Sequence, residues 1–239
     1  MGMQDKVVVI VGATGGIGTA LCHQLAAGGA QLVLAARDQS KLSALTEQLG
    51  VASDRILTVP TDITNPQQVD TLMEKVIAQF GAIDALVNAA GAGVMKPYSN
   101  LEPADLDAML EVNLKGSFYT CQAAAELMQE RKSGHICNVV GILGKHSMPM
   151  AAAYCASKFA VVGFSKCMAE ELKRFGIKFT LFYFGGVNSP FWDNVQLKVD
   201  RKKMLSTETA ANAIYYALSA DAQAVPMEIN IQPESHLFF

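Results

Sequence analysis

Charge is sparse in this chain, cysteine is scarce and long apolar runs are missing, and each shortage removes a class of function. Charged residues make up 17% of the 239, the formal net charge is -3, and no basic arm or acidic tail is present. A nucleic-acid partner needs a concentrated positive face, so none is expected. The five cysteines (Cys22, Cys121, Cys137, Cys155 and Cys167) are odd in number, scattered and without C-x-x-C spacing. That pattern supports neither a disulfide framework nor a zinc site; they read as reduced, small apolar residues, and no metal is expected. No apolar run reaches the roughly 20 residues of a membrane-spanning helix, and MGMQDKVVVIVGATGG lacks the ending of a signal peptide. The expectations are a cytoplasmic location, no membrane partner and a small-molecule ligand. Linkers rich in Pro and Ser, repeats and low-complexity tracts are also missing, so residues 1–239 are expected to form one domain.

What the chain does contain is a rhythm. The β-rich runs KVVVIV, QLVLAA, ILTVP, IDALVNAA, HICNVV, IKFTLFYF and MEINIQ alternate with helical stretches almost from end to end. Those runs are continuously apolar rather than alternating, as in strands covered on both faces. The expected fold is therefore α/β and doubly wound: a seven-stranded, mostly parallel sheet with helices on both faces. Gly28-Gly29 close the first helix. Asn100 stands before the long helical stretch LEPADLDAMLEVNLKGSFYTCQAAAELMQE, whose early acidic residues and late Arg131 and Lys132 suit a helix dipole, and Ser133-Gly134 end it.

Directly after the first strand, VGATGGIGTALCHQLAAGG places Gly12, Gly16 and Gly18 in a tight strand-to-helix turn. Glycines there let the backbone approach a pyrophosphate, and free N–H groups at the helix start attract its charge. Many βα turns hold glycine for steric reasons alone, but the place between a strand and a helix at the head of the chain points to a dinucleotide. The second strand ends LVLAARDQSKL, where the carboxylate position of an NAD site is Ala36, followed by Arg37. An arginine pairs with a 2′-phosphate, so NADP(H) is the expected cofactor. Two alternatives stand beside this: Arg37 as a solvated loop charge, and Asp38 as a displaced ribose ligand.

Taken in order, VGATGGIG, Asp62 in TDIT, Asn88-Ala89-Ala90-Gly91, Asn113 in EVNLKG and Tyr154-x-x-x-Lys158 resemble the short-chain dehydrogenase/reductase family. The likeness is to its single-domain branch, similar to 3-oxoacyl-acyl-carrier-protein reductase, and it runs over essentially the whole chain. The resemblance implies a Rossmann fold and a catalytic set of Tyr154, Lys158 and Asn113. Tyr154 would give a proton to a carbonyl oxygen or take one from an alcohol, Lys158 would also hold the nicotinamide ribose, and Asn113 would support a proton-relaying water. It implies cofactor contacts from Gly12, Thr14, Gly15, Gly16, Ile17 and Gly18, from Arg37, and from Asp62 and Ile63 at the adenine. Asn88, Ala89 and Gly91 would wall the adenosine side, Asn88 and Gly91 propping the central sheet as much as binding ligand, with Val187 and Ser189 at the nicotinamide amide. It also implies a homo-oligomer, tetramer or dimer. Physically, Tyr and Lys at i and i+4 share a helix face, and a nearby ammonium favours the phenolate, lowering a pKa of about 10. Asn113, an indifferent helix former, has the alternative of simply facing water.

The chain departs from that family at two places. Thirteen residues ahead of Tyr154, where the family carries a serine that hydrogen-bonds the substrate oxygen, stands Gly141. Loss of such a donor typically costs about 10²–10³ in rate. Either His146 or Ser147 takes over, or the enzyme works without it, or the chain is an NADP(H)-binding regulator or impaired subunit. After the sixth strand, FYFGGVNSPFWDN puts Phe184 in place of a proline and Ser189 in place of a threonine. Phe184 either shapes the pocket or packs at a strand end. Loops beyond the carboxyl ends of the strands would supply Met95, Leu143, Met148, Phe191 and Trp192, a lining for an apolar or aromatic carbonyl compound or its alcohol. Arg201-Lys202-Lys203 reads as a solvated face, with carrier docking as the alternative.

Overall fold

The computed structural model describes residues 2–195, 197–235 and 237. Each of the seven β-rich runs forms a strand: β1 (Val7–Val11), β2 (Gln31–Ala36), β3 (Ile56–Pro60), β4 (Ala85–Asn88), β5 (Gly134–Val139), β6 (Ile177–Phe184) and β7 (Glu228–Ile231). They lie in one sheet of order β3-β2-β1-β4-β5-β6-β7. Every neighbouring pair is parallel, so the sheet is wholly rather than mostly parallel. The helices are α1 (Gly16–Ala27), α2 (Gln39–Leu49), α3 (Pro66–Phe80), α4 (Pro103–Met109), α5 (Gly116–Arg131), α6 (Ala152–Leu172) and α7 (Thr207–Ser219). The expected tail after β7 is only partly described; its His236, Phe238 and Phe239 lie outside the described residues, as does Gln196.

Side chains alternate across a strand, so an all-apolar strand feeds two cores at once. Val8 and Ile10 of β1, with Leu32 and Leu34 of β2, pack against Leu21 and Leu25 of α1 and Ile214 of α7. Val7, Val9 and Val11, with Val33, pack instead against Leu72 and Val76 of α3 and Cys121 and Met128 of α5. This explains the continuous apolar runs and why both faces of the central strands are covered.

The stretch expected to be one helix from Asn100 has a different construction. Tyr98–Asn100 is a short 3-10 turn, and Glu102 caps α4 in a reciprocal capping box with Asp105. Pro103 takes the first helical position, where its missing N–H is harmless. The helix then loosens into a π-helical stretch, Leu110–Lys115, before α5 begins. Such stretches shift the helix face and often mark functional places, and this one contains Asn113.

One polar pair is buried between β5 and β6, where His135 Nε2 lies 2.7 Å from Thr180 Oγ1. Burial, helped by the charge of Lys178, lowers the imidazole from 6.5 to about 4. Between those values the unfolded chain binds more protons than the folded one, so stability is lost as pH falls through that window. Urea midpoints should drop between about pH 7 and about pH 5, and His135→Gln, which keeps a partner for Thr180, should flatten the drop. An identical slope in the variant would remove the assignment to His135.

Among the described residues no helix is long and apolar enough to cross a membrane, and no cluster of His, Cys, Asp and Glu could hold a metal ion.

Candidate active site

The chain runs outward from β1 to β3 and then returns to β4 beside β1, leaving a crevice at their carboxyl ends where open α/β sheets bind ligands. A cavity of about 410 Å³ opens there, lined by Gly12, Thr14, Gly15, Arg37, Asp62, Ile63, Ala89 and Gly91. Gly12 has φ +83, and a Cβ on it would lie 2.6 Å from Ala90 N. Only glycine lets β1 turn so close to the end of β4. Gly16 and Ile17, in the first turn of α1, line the adjoining cavity. Thus the glycine turn has the shape and the unpaired helix-start N–H groups that suit a pyrophosphate.

Two of the residues expected at this crevice lie behind its wall. A Cβ on Gly18 would come 2.2 Å from Gly12 O, so this glycine lets α1 close on the turn rather than facing the cavity. Asn88 is buried: its Nδ2 donates to Asn138 Oδ1 at 2.9 Å, and its Oδ1 accepts from Thr120 Oγ1 at 2.9 Å. Its amide joins β4 to β5 and α5, so of the two roles open to this side chain the structural one is the one it takes. The Asp38 alternative also changes. Its carboxylate accepts from Ser40 Oγ, Ser40 N and Lys41 N as the N-cap of α2, bonds that hold its pKa below the usual carboxylate range. Arg37 is exposed at the cavity rim with no carboxylate placed at Ala36. Asp62 accepts from Thr64 N and Thr64 Oγ1, which orients it at the crevice floor, while Ile63 packs over Gly116.

Tyr154 and Lys158 sit one turn apart near the start of α6, with Lys158 Nζ 5.7 Å from the Tyr154 ring centre and donating to Val139 O at 3.3 Å. The expected lowering of the phenol is not what this arrangement produces. Burial pushes Tyr154 above its ordinary value, and burial lowers Lys158 to about 8. In both cases the cause is desolvation of the charged form, although Tyr154 is half-buried and borders open cavities. Asn113 is fully buried rather than facing water. Its Oδ1 accepts from Ala92 N, and its Nδ2 donates to Ala92 O and to Ser157 Oγ. A Cβ on Gly91 would stand 3.3 Å from Asn113 Oδ1 and 3.5 Å from Lys158 Nζ, so both groups border the same small space above Gly91.

Ser157 escaped the sequence reading although it binds Asn113 and, through Oγ, Tyr154 O at 2.7 Å. The available signal was a serine in an apolar helix, three residues after the tyrosine.

Tyr154 lines two adjoining cavities. One, of about 320 Å³, contains Gly15, Gly91, Lys158, Val187 and Ser189; the other, of about 300 Å³, contains Met95, Leu143, Met148 and Met204. Gly141, Phe184, Phe191 and Trp192 belong to both, so the five apolar residues expected around a substrate do converge. Phe191 leans on the Tyr154 ring at 5.9 Å, and the Trp192 indole donates to Val187 O at 2.8 Å. Ser189 caps no helix with its hydroxyl and faces the cofactor-side cavity. Phe184 packs on Phe182 at the end of β6 and also walls the substrate side, so both readings of it hold. Neither His146 nor Ser147 is among the residues that line these cavities. In the basic cluster Arg201 pairs with Asp193, and Lys203, 3.9 Å from Asp200, stands exposed at the cavity mouth.

Gly141 is more than a serine without its hydroxyl. Its backbone lies at φ 89 and ψ 159, a region that only glycine occupies readily. There β5 leaves the sheet: the N–H groups of Val140 and Gly141 both donate to Phe182 O.

A doubly wound parallel sheet with a glycine turn at its switch point and a Tyr–Lys pair facing the crevice defines a dinucleotide-binding oxidoreductase fold. A sequence profile of the short chain dehydrogenases matches residues 6–200, and the chain belongs to that family. An uncharacterized oxidoreductase of Staphylococcus aureus (strain N315) is 36% identical over 231 residues, covering 97% of this chain and 98% of the relative. The alcohol dehydrogenase of the archaeon Thermococcus sibiricus, complexed with 5-hydroxy-NADP, superposes with a TM-score of 0.90 at 24% identity, covering 99% of this chain and 100% of that one. The 3-ketoacyl-(acyl-carrier-protein) reductase of Brucella melitensis, complexed with NADH, gives 0.88 at 24% identity, covering 97% and 98%. At that identity these two structures speak for the fold.

Proposed function

We propose that this chain is an NADP(H)-dependent reductase of apolar or aromatic ketones and aldehydes, 3-oxoacyl compounds included, with Tyr154 as proton donor. The observation that carries the reading is Tyr154, with Lys158 one helical turn away, at the junction of a glycine-walled cavity and an apolar one. A bound nicotinamide supplies the hydride. For holding it the chain offers the start of α1 to the pyrophosphate, Arg37 to a 2′-phosphate, Ile63 to the adenine, Lys158 to the ribose and Ser189 to the carboxamide. At the substrate, Tyr154 Oη gives its proton to the carbonyl oxygen. Lys158 and Asn113 border the space through which that proton is replaced. The same reading places residues 1–239 in one domain, in the cytosol, working as a dimer or tetramer on a small molecule.

The test follows NADPH oxidation with a panel of ketones, aldehydes and acetoacetyl thioesters. Turnover above the rate without enzyme is expected; tight NADPH binding with no turnover of any of them would mark a cofactor-binding regulator instead. Arg37→Ala should weaken NADPH by about tenfold, the loss of one charge-assisted contact at an exposed position, and leave NADH nearly unchanged. An equal effect on both nucleotides would remove the 2′-phosphate assignment.

A further inference from the structure

We infer that the substrate carries a hydroxyl on the carbon next to its reactive carbonyl, and that this hydroxyl donates to the backbone carbonyl of Phe184 in the space left open by Gly141. The inference rests on the reductase reading above. Along β6, Leu181 N and Gly185 N turn toward β7, whereas Phe182 O turns toward β5 and accepts from Val140 and Gly141. By the alternation of a strand, Phe184 O also turns toward β5. Gly141 has by then bent the β5 chain away, and among the described residues no backbone N–H of that strand reaches Phe184 O. Phe184 O is left beside the open space over Gly141, on the wall of the two cavities, where the donor of a ligand can reach it.

What faces that acceptor is empty space beside the reacting group. A Cβ on Gly141 would meet only Tyr154 Oη at 3.5 Å and Phe184 O at 3.8 Å within 4 Å. An atom seated there is next to any oxygen that Tyr154 protonates, so it belongs to the carbon neighbouring the carbonyl. It must bring a donor for Phe184 O. An ammonium is disfavoured by the apolar lining of Leu143, Met148 and Phe191; a neutral hydroxyl fits. The product is then a vicinal diol: hydride from the reduced nicotinamide adds to the carbonyl carbon, its π electrons move to oxygen, and that oxygen takes the proton of Tyr154.

Three compounds of similar size separate the possibilities: 2-hydroxyacetophenone, propiophenone, in which a methyl replaces the hydroxyl, and 2-methoxyacetophenone, which cannot donate. With NADPH, kcat/KM for the hydroxy ketone is expected to exceed the other two by about tenfold or more, the worth of one hydrogen bond to a buried acceptor. The same order is expected in dissociation constants measured with the Tyr154→Phe variant saturated with NADPH, where turnover is slow enough for binding to equilibrate. Equal values for the three compounds in both measurements would overturn the inference and leave the reductase reading intact. If NADPH binds and the parent protein reduces none of the three or the wider panel, the reductase reading falls and this inference with it.

Discussion

Tyr154→Phe is expected to lower kcat for carbonyl reduction by about 10²–10⁴-fold, the usual weight of a positioned proton donor. Folding and NADPH binding should stay close to those of the parent protein. The ring is held by Phe191 at 5.9 Å and packs with Ile142 and Leu143, contacts that phenylalanine preserves. Its hydroxyl opens on the two cavities, so removing it strands no partner inside the protein. Thermal unfolding, NADPH titration and steady-state rates distinguish the roles: a large fall in Tm with only a small fall in kcat would make Tyr154 a packing residue.

Gly141→Ser is expected to destabilise the protein by roughly 1–3 kcal/mol and to leave turnover no higher than before. The open space above the glycine would accommodate the atoms of a serine, since nothing lies within 3.4 Å of its Cβ. The obstacle is φ 89 with ψ 159, which a side chain tolerates poorly. To relieve it the chain must rebuild the bend at which Val140 and Gly141 share Phe182 O. In a chain of this size Tm should fall by about 2–4 °C per kcal/mol. A rise in kcat/KM at unchanged Tm would show instead that the family's serine geometry is within easy reach here and that position 141 lacks only a hydroxyl.

Much of the site could be read along the chain, and the parts that could not share a cause. The glycine turn, Arg37, and Tyr154 with Lys158 are local patterns, visible because a strand, a tight turn and one helical turn each bring near neighbours together. For Asn88, which shares a motif with Ala89 and Gly91, the chain leaves a cofactor role and a sheet-propping role both open; its side chain turns inward to Asn138 and Thr120, partners 50 and 32 residues away. Ser157 went unnoticed for a similar reason, since its importance depends on Asn113, 44 residues distant. The π-helical stretch left no mark in the apolar pattern, which continues through it.

Spacing and composition alone were enough for the doubly wound sheet, its seven strands and the pairing of a phenol with an ammonium, because those depend on periodicities of a few residues. Tertiary packing decided the rest: that the sheet is entirely parallel, that Asp38 caps a helix, and that Gly141 bends β5 out of the sheet. It also reversed the direction in which the Tyr154 proton is biased. Short-range chemistry says an ammonium loosens that proton, but the side chains packed around the Tyr154 ring determine how much water remains to stabilise a phenolate, and they come from distant parts of the fold.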